Sequence, residues 1–261
     1  VKYINTIDHR NIKITLFPDN QPHVDLENIE YEDEVTVKIR LATSNDVMHL
    51  LQISDALDRL GAIKRRLYIP YLMGARYDRS MRKGDSFDLK VIAKLINSCG
   101  FKQVQLLDVH SPTSLALIDN SVSIDNSILV KSYNKQGAVL ICPDTGAASK
   151  IDDYLLWNKN IIKVVYCTKR RDLDTGKIDL QVMESQWCNM ANCVIIDDIC
   201  DGGATFLAIA DQIMPATLTL IVTHGIFSKG TKHLTDRFDQ IITTDSYKDH
   251  QPSPKLQVTF V

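Results

Sequence analysis

The segment Val194 to Phe206, VIIDDICDGGATF, holds the residues whose types and spacing point most directly to chemistry. A Val/Ile run ends in two adjacent carboxylates, Asp197 and Asp198, and Asp201-Gly202-Gly203-Ala204-Thr205 then leads into an amphipathic stretch with Leu207, Ile209, Ala210 and Ile213. Adjacent carboxylates accept hydrogen bonds from vicinal hydroxyls, and glycines let backbone N–H groups close on a phosphate where a helix begins. Together they suit a sugar phosphate. An Asp-rich strand end with a helix cap would explain Asp201 and Thr205, but not Asp197 and Asp198 beside them. The segment is no Walker loop, because G-x-x-x-x-G-K-[ST] does not occur, and it is not the dinucleotide fingerprint.

Four more apolar runs end in polar residues: His110-Ser111 after VQLLDV, Pro143-Asp144-Thr145-Gly146 after AVLIC, Thr168-Lys169-Arg170-Arg171 after IIKVVYC, and Thr223-His224-Gly225 after TLTLIV. Ligands of open parallel sheets sit beyond the carboxyl ends of the strands, so these ends are the places to inspect. Each alone is an ordinary turn; their recurrence marks a site.

The elements that must position them follow from hydrophobic patterning. Val- and Ile-rich runs (VTVKIRL, RRLYIPYL, VQLLDV, AVLIC, IIKVVYC, CVIIDD, TLTLIVTH, QIITT) alternate with helix-like segments, the pattern of a parallel sheet with helices on its faces, so the fold class is α/β. Between Asn45 and Gly61, Val47, Leu50, Leu51, Ile53, Ala56, Leu57 and Leu60 recur at helical steps, with Ser44 or Asn45 as cap and Gly61 as stop. Leu89, Ile92, Leu95 and Ile96 repeat this before Gly100. The polar stretch from Asn134 to Gly137 divides the alternation, predicting two similar domains, 1–136 and 137–261.

Composition sets the outer bounds. The 261 residues carry 30 Lys+Arg against 32 Asp+Glu, a formal charge of −2, which gives no bulk electrostatic case for nucleic acid or an anionic membrane. No apolar run reaches the roughly 20 residues that span a bilayer, and the opening VKYINTIDHR lacks a signal peptide's apolar core, so a cytoplasmic location is expected. Cys99, Cys142, Cys167, Cys188, Cys193 and Cys200 form no C-x-x-C pair and read as buried, reduced thiols without a structural metal.

At Val194 to Phe206 the sequence resembles the phosphoribosyltransferase-type fold, and along nearly its whole length it is similar to the ribose-phosphate pyrophosphokinase family. IPYLMGARYDR (Ile69 to Arg79), LLDVHSPTS (Leu106 to Ser114), CPDTGAASK (Cys142 to Lys150), CTKRR (Cys167 to Arg171) and THGIFS (Thr223 to Ser228) match that family's segments in order, and FPDNQ (Phe17 to Gln21) matches its adenine-binding hairpin more loosely. The resemblance implies two tandem phosphoribosyltransferase-like domains, ATP as co-substrate and Mg²⁺. It also implies transfer of a pyrophosphoryl group from ATP to the C1 hydroxyl of ribose 5-phosphate, releasing AMP.

Laid on this chain, the resemblance makes Lys169 and Arg171 the catalytic cations, ahead of a lid from Asp172 to Asp179, and Asp197, Asp198 and Asp201 to Thr205 the ribose-phosphate site. Asp144, Thr145, Gly146 and Ala147 become the pyrophosphate loop, with Asp144 alternatively a cap for a helix from Ala147 to Trp157. His110 and Asp144 match metal positions, and His110 also suits a donor to an ATP phosphate. Arg76, Tyr77 and Asp78 face ATP, while Phe17, Asp19 and Gln21 contact adenine from a neighbouring subunit, so a homo-oligomer with a shared ATP site is implied.

Three departures stand out. Tyr77 replaces the family's Gln, which makes that contact apolar or stacking. The 5-phosphate loop lacks the Thr that follows this Asp in the family; one hydroxyl donor is lost and room is gained at Gly202. Little precedes Phe17 and the sequence stops at VTFV, so the family's hexamer and allosteric ADP site do not carry over with the resemblance. The room at Gly202 admits a second acceptor, ADP-ribose, whose 5-linked pyrophosphate needs an exit and whose product, ADP-ribose 1-pyrophosphate, would serve NAD resynthesis. A phosphoribosyltransferase and a silent regulatory relative are the readings from other classes; the Arg76, His110, Lys169 and Arg171 matches count against the first, and the presence of Lys169 and Arg171 against the second.

Overall fold

The structure is a computed structural model and describes residues 1–30, 34–171 and 178–261, the side chains of 169–171 and 178–179 excepted. It divides into two units, Val1–Asp125 and Asn126–Val261.

In the first unit, β1 (Lys2–Asn5) is followed by a hairpin of β2 (Ile12–Leu16) and β3 (Pro22–Leu26). After β4 (Val35–Lys38), α1 (Ser44–Arg59) leads to β5 (Arg65–Ile69), α2 (Asp88–Ser98) to β6 (Gln103–Leu107), and α3 (Thr113–Leu117) to β7 (Ser121–Ile124). The sheet order is β1-β4-β5-β6-β7, all parallel, so the strands follow one another across the sheet without reversal. Thr43, not Ser44 or Asn45, caps α1. Its hydroxyl accepts from the Asp46 N–H, and the Asp46 carboxylate accepts from the Thr43 N–H at 2.7 Å, a capping box with Asp in the acidic position. The helix buries Val47, Leu50, Ile53 and Leu57. These four side chains are worth roughly 6–12 kcal/mol of transfer free energy against about 1 kcal/mol for the cap, so packing holds the helix. Gly61, at φ +69°, lets the chain leave it.

The second unit opens with α4 (Ser127–Ser132). The chain then runs through β8 (Ala138–Cys142), α5 (Thr145–Ala148), α6 (Ile151–Trp157), β9 (Ile161–Arg171), β10 (Ile178–Val182), β11 (Asn192–Cys200), α7 (Ala204–Ala210), β12 (Thr217–Gly225), α8 (Lys232–Thr235), β13 (Gln240–Thr244) and β14 (Leu256–Thr259). Sheet order is β10-β9-β8-β11-β12-β13-β14, parallel except for the β9–β10 ribbon. The chain steps from β8 to β9, then returns to the other side of β8 with β11. This reversal leaves a crevice beyond the carboxyl ends of β8 and β11, the usual ligand position in open α/β sheets.

The divide lies before α4 rather than at the polar stretch after it. Leu129, Val130 and Tyr133 are buried in the second unit's core, and the Asn158 amide donates to the carbonyls of Val130 and Tyr133, each at 2.8 Å. All eight apolar runs read as strands are strands. The six cysteines are free thiols and buried, and among the described residues no helix is long and apolar enough to cross a membrane.

Candidate active site

The crevice of the second unit gathers Asp144 from the end of β8 and Asp197 and Asp198 from β11. The strand register that sets them side by side is Ile195 with Ile141, between β11 and β8. Asp197 accepts the Asp198 N–H on its own Oδ1 at 2.9 Å, and Asp198 is buried. Removal from water, then the neighbouring Asp198 and Asp144 charges, push the Asp197 carboxyl well above the usual carboxylate range. Hydroxyl donors or a cation placed there would relieve this repulsion.

Beyond β11, Asp201 and Gly202 carry the chain to Gly203, the residue before α7, in the left-handed region at φ +77°. A side chain at Gly203 would stand 2.7 Å from Leu234 Cδ2, so glycine is required twice, for its φ and for the close approach. No side chain caps α7, and the N–H groups of its first turn have no acceptor within the helix. These donors, with the Thr205 hydroxyl, suit an anion.

The pyrophosphate segment is organised otherwise than expected. Asp144 caps the four-residue α5, its Oδ1 accepting from Gly146 N–H at 3.0 Å and Ala147 N–H at 3.1 Å. Two of the N–H groups offered to a pyrophosphate are therefore held by an internal carboxylate, and the helix expected from Ala147 to Trp157 is two short helices, α5 and α6. Lys169 and Arg171 do not follow a strand: they lie within β9, whose pairing with β10 continues through Lys169 with Leu180 and Arg171 with Ile178. Their backbone is therefore the base of a two-stranded ribbon on β9. The lid expected at 172–179 falls outside the described residues except where 178 and 179 begin β10.

In the first unit, Asp78 forms a fork with Arg79, at 2.8 and 2.9 Å. This pair first, then a hydrogen bond from Ser111 and the nearby His110, hold its carboxyl at about 2 in spite of partial burial. Asp78 thus ties the Arg76-Tyr77-Asp78 segment to His110 and Ser111 beyond β6, which the sequence matched separately. Tyr77 is exposed, as a stacking contact requires, and so is Arg76. Phe17, Asp19 and Gln21 form the exposed tip of the β2–β3 hairpin, where the Asp19 carboxylate accepts the Gln21 N–H at 3.1 Å and Phe17 N–H donates to the Gln21 carbonyl at 2.9 Å.

Patterning alone missed what surrounds Gly202. The Lys229 side chain lies beside it: Cδ and Cε would each stand 3.5 Å from a Cβ at 202, ordinary contact distance, so Lys229 lines the position that the loop leaves without a side chain. His233 Nε2 approaches the Gly202 carbonyl at 3.1 Å and, facing an acceptor, carries the proton. At the end of β12, buried His224 Nδ1 lies 2.8 Å from the Ser246 hydroxyl, which donates to the Thr223 carbonyl at 3.1 Å.

Comparison with known proteins agrees with this architecture. A family model for the N-terminal domain of ribose phosphate pyrophosphokinase matches residues 3–100. The ribose-phosphate pyrophosphokinase of Agrobacterium fabrum is 28% identical over 98% of this chain and 84% of that protein. That of Rhizobium meliloti is 27% identical over 92% and 80%. A crystal structure of phosphoribosylpyrophosphate synthetase from Mycobacterium smegmatis shares the fold with a TM-score of 0.80 at 18% identity, covering 95% of this chain and 85% of that one. Along nearly its whole length the chain is thus similar to ribose-phosphate pyrophosphokinases, at a divergent level of identity, and it shares the fold of the synthetase.

The family implies Mg²⁺ with ATP. Among the described residues no three His, Cys, Asp or Glu side chains gather as a metal cage. The mutually repelling Asp144 and Asp197 are donors of the other kind, single carboxylates that complete a Mg²⁺ shell with water and phosphate oxygens. The donor chemistry fits.

Proposed function

We propose that this protein is a transferase that moves the pyrophosphoryl group of Mg-ATP to the C1 hydroxyl of ribose 5-phosphate, releasing AMP. The observation that carries the reading is the crevice between β8 and β11, where Asp197 and Asp198 precede a glycine loop leading into a helix that no side chain caps. Asp197 and Asp198 accept from the ribose hydroxyls, and Asp201 to Thr205 hold the 5-phosphate. Asp144 and the loop to Ala147 receive the growing pyrophosphate, which exchanges for the internal carboxylate at the N–H groups of Gly146 and Ala147.

Charge builds on the transferred phosphates, so cations placed there lower the barrier most. Lys169 and Arg171 fill that role. Mg²⁺, when bound by Asp144, with His110 at a second position, supplies charge neutralisation and orients the phosphates. Arg76, Tyr77 and Asp78 position ATP. The exposed tip at Phe17, Asp19 and Gln21 supports adenine contacts made across a homo-oligomer. Buried free thiols support a cytoplasmic setting.

The test is mass spectrometry of the protein with Mg-ATP and, in separate tubes, ribose 5-phosphate or ADP-ribose. AMP and a ribose 5-phosphate heavier by a pyrophosphoryl group are expected. Product from ADP-ribose alone would move the acceptor to the diester, and no AMP in either tube would reject the reading. Lys169→Ala should remove turnover while sparing most ATP binding, because its charge is needed where charge develops; near-normal kcat would take Lys169 out of the mechanism.

A further inference from the structure

We propose that Lys229 is a cationic contact for the 5-phosphate and a determinant of acceptor affinity, replacing with a charge the hydroxyl that the loop at Gly202 lacks. The inference deepens the ribose 5-phosphate reading above and rests on it.

The segment after β12 is fastened to the root of the phosphate loop. Ile226 and Phe227 N–H groups both donate to the Cys200 carbonyl, at 2.9 and 3.1 Å, and Gly230 N–H donates to the Phe227 carbonyl at 2.9 Å. Phe227 and Gly230 take left-handed conformations, φ 45° and 73°, which fold the four residues into a tight turn with Lys229 inside it. From α8, His233 holds the Gly202 carbonyl and Leu234 packs on Gly203. Lys229 therefore belongs to the wall of the phosphate loop, at a separation in sequence that hides the relation.

Its stem and Gly202 fit each other. Cγ, Cδ and Cε lie 3.8, 3.5 and 3.5 Å from where a Cβ at 202 would stand, ordinary packing distances. The ammonium is one C–N bond, about 1.5 Å, beyond Cε. Among the described residues it makes no hydrogen bond or ion pair, whereas Lys232 in the same segment is held by Asp236 at 2.9 Å and Lys255 by the carbonyls of Thr235 and Phe238. An exposed ammonium whose stem packs on Gly202, with no protein anion bound to it among the described residues, is complementary to a phosphate monoester carrying about −1.5 to −2 charges.

The test compares wild type, Lys229→Met and Lys229→Arg. Lys229→Met keeps the stem over Gly202 and removes the charge; the position is exposed, so folding is not at issue and an unchanged Tm verifies it. The KM for ribose 5-phosphate should rise about tenfold or more, the size of one charged hydrogen bond, with the KM for ATP within about twofold, and Lys229→Arg should restore most of the loss. Calorimetric binding of ribose 5-phosphate without ATP reads the same contact without turnover. Unchanged acceptor KM and Kd in Lys229→Met overturn the inference and leave the transferase reading standing. Weakened binding by Lys229→Met in a protein that makes no product keeps the inference and rejects the reaction. A wild type that does not bind ribose 5-phosphate overturns both.

Discussion

Gly203→Ala is the sharpest probe of how the phosphate loop is held. Two costs add. A non-glycine residue in the left-handed region at φ +77° pays about 1–2 kcal/mol. The new methyl would stand 2.7, 3.3 and 3.4 Å from three carbons of Leu234, a side chain with no exposure to solvent into which it could swing; such overpacking costs about 1–3 kcal/mol. Alanine returns about 0.4–1 kcal/mol by stiffening the unfolded chain. The net loss is about 1–5 kcal/mol, read as a lower urea midpoint with an unchanged m value. The steric part, unlike the backbone part, can be relieved by Leu234→Ala, which alone opens a cavity at about 2–5 kcal/mol. In the double variant the two losses should fall short of their sum by about 1–3 kcal/mol. Gly203→Ala within 0.5 kcal/mol of wild type, or strict additivity in the cycle, would refute the claim that Gly203 and Leu234 share one space.

Two further predictions concern charge. Asp197 has a raised carboxyl pKa, so the protonated form favours folding: its contribution is full below the ordinary value of 3.8 and is lost as pH rises through the folded-state value. Asp197→Asn should therefore be more stable than wild type at neutral pH in chelator, with the gain vanishing toward pH 4, while acceptor binding is lost; equal stability across that range would contradict the repulsion assigned to Asp198 and Asp144. Asp78 is the opposite case, held at about 2, so its stabilisation is full above 3.8 and disappears as pH falls through about 2. Asp78→Asn should cost about 1 kcal/mol at neutral pH once screening of the exposed Arg79 is allowed for, and should raise the KM for ATP through the freed Arg76-Tyr77 segment; an ATP KM unchanged beside that loss would confine Asp78 to stability.

What could be read from sequence and what could not divide along physical lines. Strand interiors announce themselves by composition, because a strand covered on both faces is predominantly apolar: AVLIC is so throughout, and TLTLIV departs only at Thr217 and Thr219. The carboxylates at 197 and 198 stand out for the same reason: two acids end an otherwise apolar run. Strand ends are harder. IIKVVYC gave no hint that β9 continues to Arg171, since an antiparallel ribbon with β10 is stabilised by main-chain pairing that polar residues make as well as apolar ones. The domain divide was displaced because α4 is short and its allegiance is fixed by Asn158, a distant residue whose amide satisfies two carbonyls.

The relation between Lys229 and Gly202 shows where the limit lies. Pattern reading looks along the chain, and the phosphate loop as written there looks merely depleted, a hydroxyl removed and a gap left. In space, β11 and β12 are parallel neighbours with Cys200 opposite Gly225. Whatever follows one strand must therefore emerge beside whatever follows the other. The lysine that packs beside Gly202 is thus placed there by strand order, a non-local property carried by the packing of both sheet faces. A loss in one loop of a parallel sheet should accordingly be weighed against the loop of the adjacent strand before it is read as a change of substrate.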